Sequence, residues 1–457
     1  MKTLFTTLII LSSISLNSQT LKRVSNKGNI GSPIPNELVE KNELKSNEGV
    51  YFRKVFPGTT AAELGVIEGD ILLKVNGVEV KTIAELKTPS LKLREGETVT
   101  YLVMRDKEPK ELKGKVIGNP KEVSEKLIVE YNSFKFKEGL IRSIYLKPKT
   151  TGKKPAILFI PGYPCTTIDN LPEHHPYKKL VYGLAEKGYI VMRAEKPGVG
   201  DCQNTPECNS MDFLTEVSSF KAALSDLKKQ KDVDTNNVFI LGHSMGGMEA
   251  PYVALNSNVK GIIVMGITIK PWLEYLTEML RVQNPQLGID YVQSEKDMKL
   301  YETLLFQLLV NNKKTSELVS QNNEYARILK RDFNYAGGDD FLTRDIIFSQ
   351  SLNKINVTET WANTTSKVLS AWGETDIQTI NDFSHKELVK IVNKYHPNNA
   401  AFLELKGTDH NLMLIPTMEE SYQRNANGTI SSIFPTNFNT KIIEDFDVWM
   451  KKIISNN

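Results

Sequence analysis

The chain is short of cysteine, with three in 457 residues. That is too few for a disulfide scaffold or a four-cysteine zinc site. Charge of one sign is lacking too: 57 Lys and Arg stand against 54 Asp and Glu, a net +3. Nucleic-acid binding needs a concentrated basic surface, so no nucleic acid is expected as the principal partner. No apolar run approaches the ~20 residues that cross a bilayer, so no membrane span is expected. The one Gly-x-Gly of note, in Glu195–Asp201 (EKPGVGD), lacks the third glycine and the distant acid of a dinucleotide fingerprint and reads as a tight turn. No cofactor and no metal are expected. Glycine (28) and proline (20) are at ordinary levels, which excludes a collagen-like or low-complexity chain.

What is present is globular: 40% hydrophobic, 24% charged and 8% aromatic residues. At roughly 100–200 residues per domain this length predicts two or three domains. Residues 1–18 read as a signal peptide. Lys2 precedes the apolar run Leu4–Leu11, and small polar residues lead to a cleavage point after Ser18. No cysteine lies there to carry a lipid, so a periplasmic or secreted protein is expected.

Residues 28–117 read as a small β-rich module. Gly49–Phe56 alternates apolar and polar residues as a half-buried strand does. Pro57-Gly58 makes a turn, Thr60–Leu64 a short helix, and Ile71–Val75 a strand. Asn76-Gly77 is a hairpin signal. A helix near Ile83–Leu93 and a strand at Val99–Arg105 complete the module. Residues 118–126 (GNPKEVSEK) are polar and proline-broken and read as a linker. From 127 to 457 the pattern changes. Leu127–Tyr131 and Gly139–Leu146 read as opening antiparallel strands. Ala156–Ile160, Tyr189–Arg193, Val238–Leu241, Gly261–Met265, Lys367–Trp372 and Ala401–Leu405 are short apolar runs interleaved with helical stretches. That is the signature of a mostly parallel sheet covered on both faces.

Gly242-His243-Ser244-Met245-Gly246 follows the strand NVFIL and opens a helix-compatible stretch. A G-x-S-x-G in that setting is a nucleophile elbow, whose sharp turn needs small residues around an exposed serine. Serine needs a base and an orienting acid to attack near neutral pH. In the chain order serine, acid, histidine, three histidines follow. His410, in the loop KGTDHN after the strand AFLEL, is the expected base, while His385 and His396 read as surface residues. Asp376, in the turn after Lys367–Trp372, is the expected acid; Glu374 and Asp409 compete for the role.

Two resemblances follow from these residues. The run GVYFRKVFPGTTAAELGVIEGDILLKVNGVEV resembles a bacterial PDZ domain. That resemblance implies capture of a protein C-terminus or extended peptide at a sheet edge, with a carboxylate loop near Gly28–Gly31, or a degenerate module serving as a spacer. The loops GHSMGG, GETD and GTDH together resemble those of an α/β-hydrolase, which implies an oxyanion hole. Met245 would give one backbone N–H and Tyr163, after Pro161-Gly162, the other. Cys165 and Cys208 lie in loops that would be neighbours in this fold, making Cys165–Cys208 the favoured disulfide and Cys202–Cys208 the alternative. Between Thr268 and Ser366 an inserted helical cap is expected, with Trp272, Tyr275, Phe306 and Tyr325 as possible lining residues. The expected function is that of an exported serine hydrolase of the carboxylesterase type, taking a small ester or acyl substrate. A peptidase or acyltransferase guided by the PDZ domain is one alternative, and a PDZ-based binding protein on an inactive scaffold is another.

Overall fold

The computed structural model describes residues 21–455 apart from 45, 84 and 87–91. The expected signal peptide and much of the expected helix near Ile83–Leu93 lie outside the described residues. The first sheet is built from β1 (Asn29–Ser32), β2 (Val50–Val55), β3 (Ile71–Val75), β4 (Val78–Glu79), β5 (Thr98–Arg105) and β6 (Glu108–Lys115). All pairings are antiparallel, in the order β1-β2-β3-β5-β6 with β4 on β3. Val50 and Phe52 alternate into the core with Leu72, Val75, Val99, Tyr101 and Val103. Asn76 and Gly77, at φ 49° and 79°, form the two-residue turn that joins β3 to β4. Of the expected carboxylate loop, Gly28 precedes β1 and residues 29–31 belong to it.

The second sheet carries eight strands: β7 (Leu127–Phe136), β8 (Gly139–Pro148), β9 (Lys154–Ile160), β10 (Ile190–Ala194), β11 (Val233–His243), β12 (Gly261–Met265), β15 (Lys367–Gly373) and β16 (Ala400–Leu405). A small hairpin, β13 (Asp340–Phe341) and β14 (Arg344–Asp345), lies apart from it. The order is β16-β15-β12-β11-β9-β10-β8-β7, parallel except at the β8 and β7 edge. Side chains alternate across the layer, because successive residues of a strand point to opposite faces. Ala156, Leu158 and Ile160 of β9 join one core with the helices Phe213–Lys228 and Met245–Ala254. Ile157 and Phe159 join the other with Pro176–Glu186 and Lys441–Ser455.

Between β12 and β15 the chain forms the helices Trp272–Gln286, Tyr291–Leu309, Thr315–Gln321, Asn323–Asp332, Ile346–Lys354 and Val357–Ala362, with the β13–β14 hairpin among them. Leu276, Leu304, Leu308, Ile328 and Phe348 make the apolar interior of this cap continuous with one face of the sheet.

The two sheets are fastened by the segment after residue 20. Leu21, Arg23, Val24 and Ser25 are buried. Arg23 Nη1 lies 2.5 Å from Asp201 Oδ2 and 2.6 Å from Asp169 Oδ2. Arg142 donates from Nε to the same Asp201 oxygen at 2.9 Å, and the Val24 N–H donates to Asp201 Oδ1 at 2.7 Å. The polar stretch 118–126 is not a loose tether either. Arg193 holds Glu122 at 3.0 Å and the Tyr182 hydroxyl donates to it at 2.6 Å, so that carboxylate is turned inward.

Asp201→Ala would leave two buried arginines facing one another without their shared carboxylate. Such a change costs roughly 3 kcal/mol or more. The expected outcome is a lower denaturant midpoint together with faster proteolysis within 118–126, where Val123 is 89% exposed.

Candidate active site

Ser244 sits between the last residue of β11 and the first turn of the helix Met245–Ala254, with φ 55° and ψ −125°. A non-glycine residue in this region costs on the order of 1–3 kcal/mol and persists only where its surroundings over-determine it. Here the Ser244 N–H donates to the Met265 carbonyl of β12 at 2.8 Å, and the Ser244 carbonyl accepts from Gly247 at 2.9 Å. Gly246 has no alternative: a Cβ there would stand 2.2 Å from the Ile160 carbonyl oxygen. The N–H of Met245, at the first helical position, has no acceptor within the helix and lies at the positive end of the dipole.

Asp376, in the turn after β15, is buried, and its Oδ1 accepts from the N–H groups of Gln378 at 2.9 Å and Thr379 at 3.1 Å. His410 Nδ1 lies 2.9 Å from Asp376 Oδ2 and 3.0 Å from Oδ1. An ionised carboxylate only accepts, so Nδ1 carries the proton and Nε2 is left as the basic nitrogen. Burial pulls the His410 pKa down, but the adjacent Asp376 charge outweighs it and the net shift is upward. Burial raises the Asp376 carboxyl, His410 more than offsets this, and the carboxyl ends below its ordinary range. Gly266, at φ 63°, lets the ring lie against the end of β12: a Cβ there would meet His410 Cε1 at 2.9 Å.

The two competing acids are occupied elsewhere. Glu374 accepts from the Gly407 N–H at 2.8 Å and pairs with Lys406. Asp409 closes its own loop through the Met413 N–H at 2.8 Å. The sequence pattern places His385 at the surface, and the structure corrects this. His385 is fully buried, its Nδ1 bonded to the Ser370 hydroxyl at 2.8 Å and its Nε2 accepting from the Ile267 N–H at 3.3 Å. The residue falls on the inward stripe of its helix, and Ser370 of the neighbouring strand satisfies it. His396 is half-buried and donates from Nε2 to the Ala362 carbonyl at 2.9 Å.

Ser244, Met245, His410 and Tyr163 line one cavity of about 330 Å³. Met248, Ile267, Leu276, Met279 and Leu342 complete most of its wall, with Trp272 stacked on Tyr275 at 5.0 Å between centroids. No Asp, Glu, Lys or Arg lines it among the described residues. Of the four aromatic residues that could line the pocket, none of them assigned to the site from sequence, Trp272 and Tyr275 take part. Phe306 and Tyr325 are not among the lining residues, and Phe306 is 47% exposed, on the outer side of its helix. Cys165 and Cys208 are joined in a disulfide, with Cα atoms 5.8 Å apart, and Cys202 is free and buried. No group of His, Cys, Asp and Glu among the described residues is arranged to hold a metal ion. No helix among them is long and apolar enough to cross a membrane.

Sequence reasoning missed the groups behind the site. The Gly162 N–H donates to the Tyr177 hydroxyl at 3.2 Å, and that hydroxyl donates to His243 Nδ1 at 2.7 Å. His243 Nε2–H then donates to the His410 carbonyl at 2.9 Å. The middle residue of the elbow motif thus ties the loop after β9 to the loop that bears His410. Burial, with the neighbouring His410 charge, pushes the His243 pKa down to about 3, so the ring is a neutral bridge. Its place inside the motif was the one available signal. Lys196, Glu216 and Arg344 also meet beneath this loop; Lys196 falls in the turn EKPGVGD, and nothing local in the sequence marks Glu216 or Arg344.

Residues 24–116 match the PDZ domain family and residues 173–340 the family described as serine aminopeptidase, S33. An esterase, EstD of Thermotoga maritima, is 28% identical over 211 residues, covering 43% of this chain and 48% of that protein. A serine protease Do-like HtrA of Lactobacillus helveticus is 32% identical over 88 residues, covering 19% of this chain and 21% of that protein. The match therefore spans about half the length of the first curated relative and about a fifth of the second. Among solved structures, Est1E of Butyrivibrio proteoclasticus with bound ferulic acid has 15% identity and a TM-score of 0.41, over 65% of this chain and 99% of that one. With its antiparallel first sheet and its mostly parallel, helix-covered second sheet, this protein joins a PDZ domain to a capped α/β-hydrolase domain.

Proposed function

We propose that the protein is a serine hydrolase that cleaves carboxylic esters of neutral, apolar acids through an acyl-enzyme. The observation that carries this reading is the cavity beside Ser244 and His410, walled mostly by apolar and aromatic side chains, with Thr268, Asn334, Thr343 and Gln378 as its uncharged polar members and no Asp, Glu, Lys or Arg. Its volume of about 330 Å³ is at the small end for ligand sites, which suits a short to medium acyl group or a single aryl group. An aminopeptidase, the activity named for the matching hydrolase family, needs a carboxylate to hold the substrate's ammonium group, and this wall offers none.

In this reading His410 Nε2 takes the proton of Ser244 Oγ as that oxygen attacks the ester carbonyl. Asp376 keeps the His410 Nδ1 proton in place and stabilises the imidazolium that forms. The N–H groups of Met245 and Tyr163 hold the oxyanion. His410 returns its proton to the leaving alcohol, then draws a proton from water as that water attacks the acyl-enzyme, and finally passes this proton to Ser244 Oγ as the acyl–oxygen bond breaks and the acid leaves. Each oxyanion donor contributes about 3 kcal/mol. The PDZ domain would recruit an extended peptide or a protein C-terminus along β1. Export is supported by the apolar run at Leu4–Leu11 and by the Cys165–Cys208 disulfide, which suits an oxidising compartment.

A p-nitrophenyl ester series from acetate to laurate is expected to give an optimum at intermediate length. Ser244→Ala should lose at least about a thousandfold in kcat. Undiminished hydrolysis by that variant, or cleavage of aminoacyl p-nitroanilides with esters inert, would overturn the reading.

The base must be neutral to act, and its net pKa shift is upward from 6.5. Hence kcat/KM should rise with pH through a midpoint above 6.5. Asp376→Asn removes the charge that raises it, and should move the midpoint down while cutting kcat about 10⁴-fold. A midpoint unmoved by that change would remove Asp376 from the role.

A further inference from the structure

Two residues beyond β10, Lys196 is 2% exposed. Its ammonium meets three acceptors: Glu216 Oε1 at 2.6 Å, the Gly162 carbonyl at 2.7 Å and the Tyr163 carbonyl at 3.2 Å. An ammonium has three N–H donors and no acceptor, so the set is matched donor for acceptor. A neutral amine would turn its lone pair on one of those oxygens. The Gly162 carbonyl and the Tyr163 N–H belong to one peptide unit. That unit is planar and trans, so the two bonds point in opposite directions. Whatever pins the carbonyl therefore aims the N–H. The unit runs past Ser244, since a Cβ on Gly162 would stand 3.2 Å from Ser244 Cβ and 3.6 Å from its Oγ.

We propose that Lys196 is a positioning residue for the oxyanion hole, its buried ammonium turning and polarising the Gly162–Tyr163 peptide so that the Tyr163 N–H is presented to the developing oxyanion. This rests on Ser244 acting as the nucleophile of the proposed hydrolase. A cation on a carbonyl draws electron density from the amide, and successive hydrogen bonds strengthen one another in a site of low dielectric.

Ionisable side chains gather around Lys196 behind the loop. Glu216 is shared with Arg344 of the β13–β14 hairpin, whose Nη1 lies 2.6 Å from Glu216 Oε2. Arg344 also donates to the Tyr163 carbonyl and lies 4.5 Å above the Tyr163 ring. Glu249, five residues after Ser244 and wholly buried, lies beside Glu216. Burial and the Glu216 charge push its carboxyl well above the usual range. Burial and the neighbouring Arg344 pull the Lys196 ammonium below its ordinary range although Glu216 opposes them; its charge follows from the three acceptors that surround it. Lys196 and Arg344 thus both donate to the carbonyls of the oxyanion loop from behind, while no Asp, Glu, Lys or Arg lines the substrate cavity among the described residues.

The test uses the full-length protein and its best p-nitrophenyl ester, comparing wild type with Lys196→Met and with Lys196→Gln, which keeps an N–H but no charge. A trifluoromethyl ketone of the same acyl length serves as the probe, because it forms a tetrahedral oxyanion adduct. Removing one oxyanion donor outright costs about 10²–10³ in kcat. Weakening one by Lys196→Met should lower kcat about 10–100-fold, leave KM within about twofold, and raise the ketone Ki by the same factor as kcat falls. Lys196→Gln should fall between wild type and Lys196→Met. If Lys196→Met does not fold, Glu216→Gln, which loosens the anchor of Lys196, should show the same kcat-only loss with a matching rise in Ki. An unchanged kcat and Ki overturns the proposal, as does a loss confined to KM or a fall in kcat with Ki unmoved. A wild type that the ketone fails to inhibit and that Ser244→Ala matches in rate condemns the hydrolase reading instead, and the proposal with it.

Discussion

At Gly246 the helix that follows Ser244 passes so close beneath β9 that no side chain fits between its backbone and the Ile160 carbonyl. That contact sets where everything else must stand. It brings the helix N-terminus under the loop that begins at Pro161, and so brings the N–H of Met245 near the peptide units of Gly162 and Tyr163. It also leaves Ser244 as the only link between a strand and a helix that cannot separate, which is why a residue with φ 55° is tolerated. The Met265 carbonyl of the adjacent strand then fixes the height of the turn above the sheet. Strain, sheet register and the placing of the proposed oxyanion donors are three aspects of a single close approach.

Buried charge is the second organising feature, and both large clusters are attached to the loop between β9 and the helix Pro176–Glu186. On one side Asp169 of that loop meets Arg23 of the PDZ-side segment and, through it, Asp201 and Arg142. On the other, the Gly162 and Tyr163 carbonyls meet Lys196, Glu216 and the Arg344 of the cap. Removing ions from water is costly, so clusters of this kind persist where every member is paired and hydrogen-bonded. The small domain and the cap are consequently both anchored to one loop, and the cap contributes an ion pair to the groundwork of the site as well as a roof.

Much of this was legible from local pattern. The strands declare themselves as apolar runs because both faces of the sheet are covered, and the elbow because only small residues survive at its glycine positions. His410 and Asp376 follow from standing directly after strands, where loops at one end of a parallel sheet converge. What was hidden depends on distance along the chain. Glu216 sits in an ordinary amphipathic helix and Arg344 in a short hairpin, 128 residues apart. Each reads alone as a solvated charge. His385 was misjudged for a related reason: a histidine on a helix looks like surface until Ser370 of the strand beneath supplies its partner. Phe306 could not be placed from pattern at all, since hydrophobicity alone does not say which side of a cap helix faces the cavity. Periodicity reports on faces, whereas pairing across the fold reports on sites.

The segment from Leu21 to Ser25 has a bearing on how the molecule is assembled in time. These residues are made early, yet Arg23 finds Asp201 across 178 positions and the Leu21 carbonyl finds Arg142 across 121. At roughly 5–20 residues per second, a nascent polypeptide holds this segment without its partners for on the order of ten seconds or more. The strands from β1 to β6 can close upon themselves in that interval, because their pairings are short-range. Docking of the two domains is a high-contact-order event that waits for the far side of β10 and belongs to the late, slow part of folding.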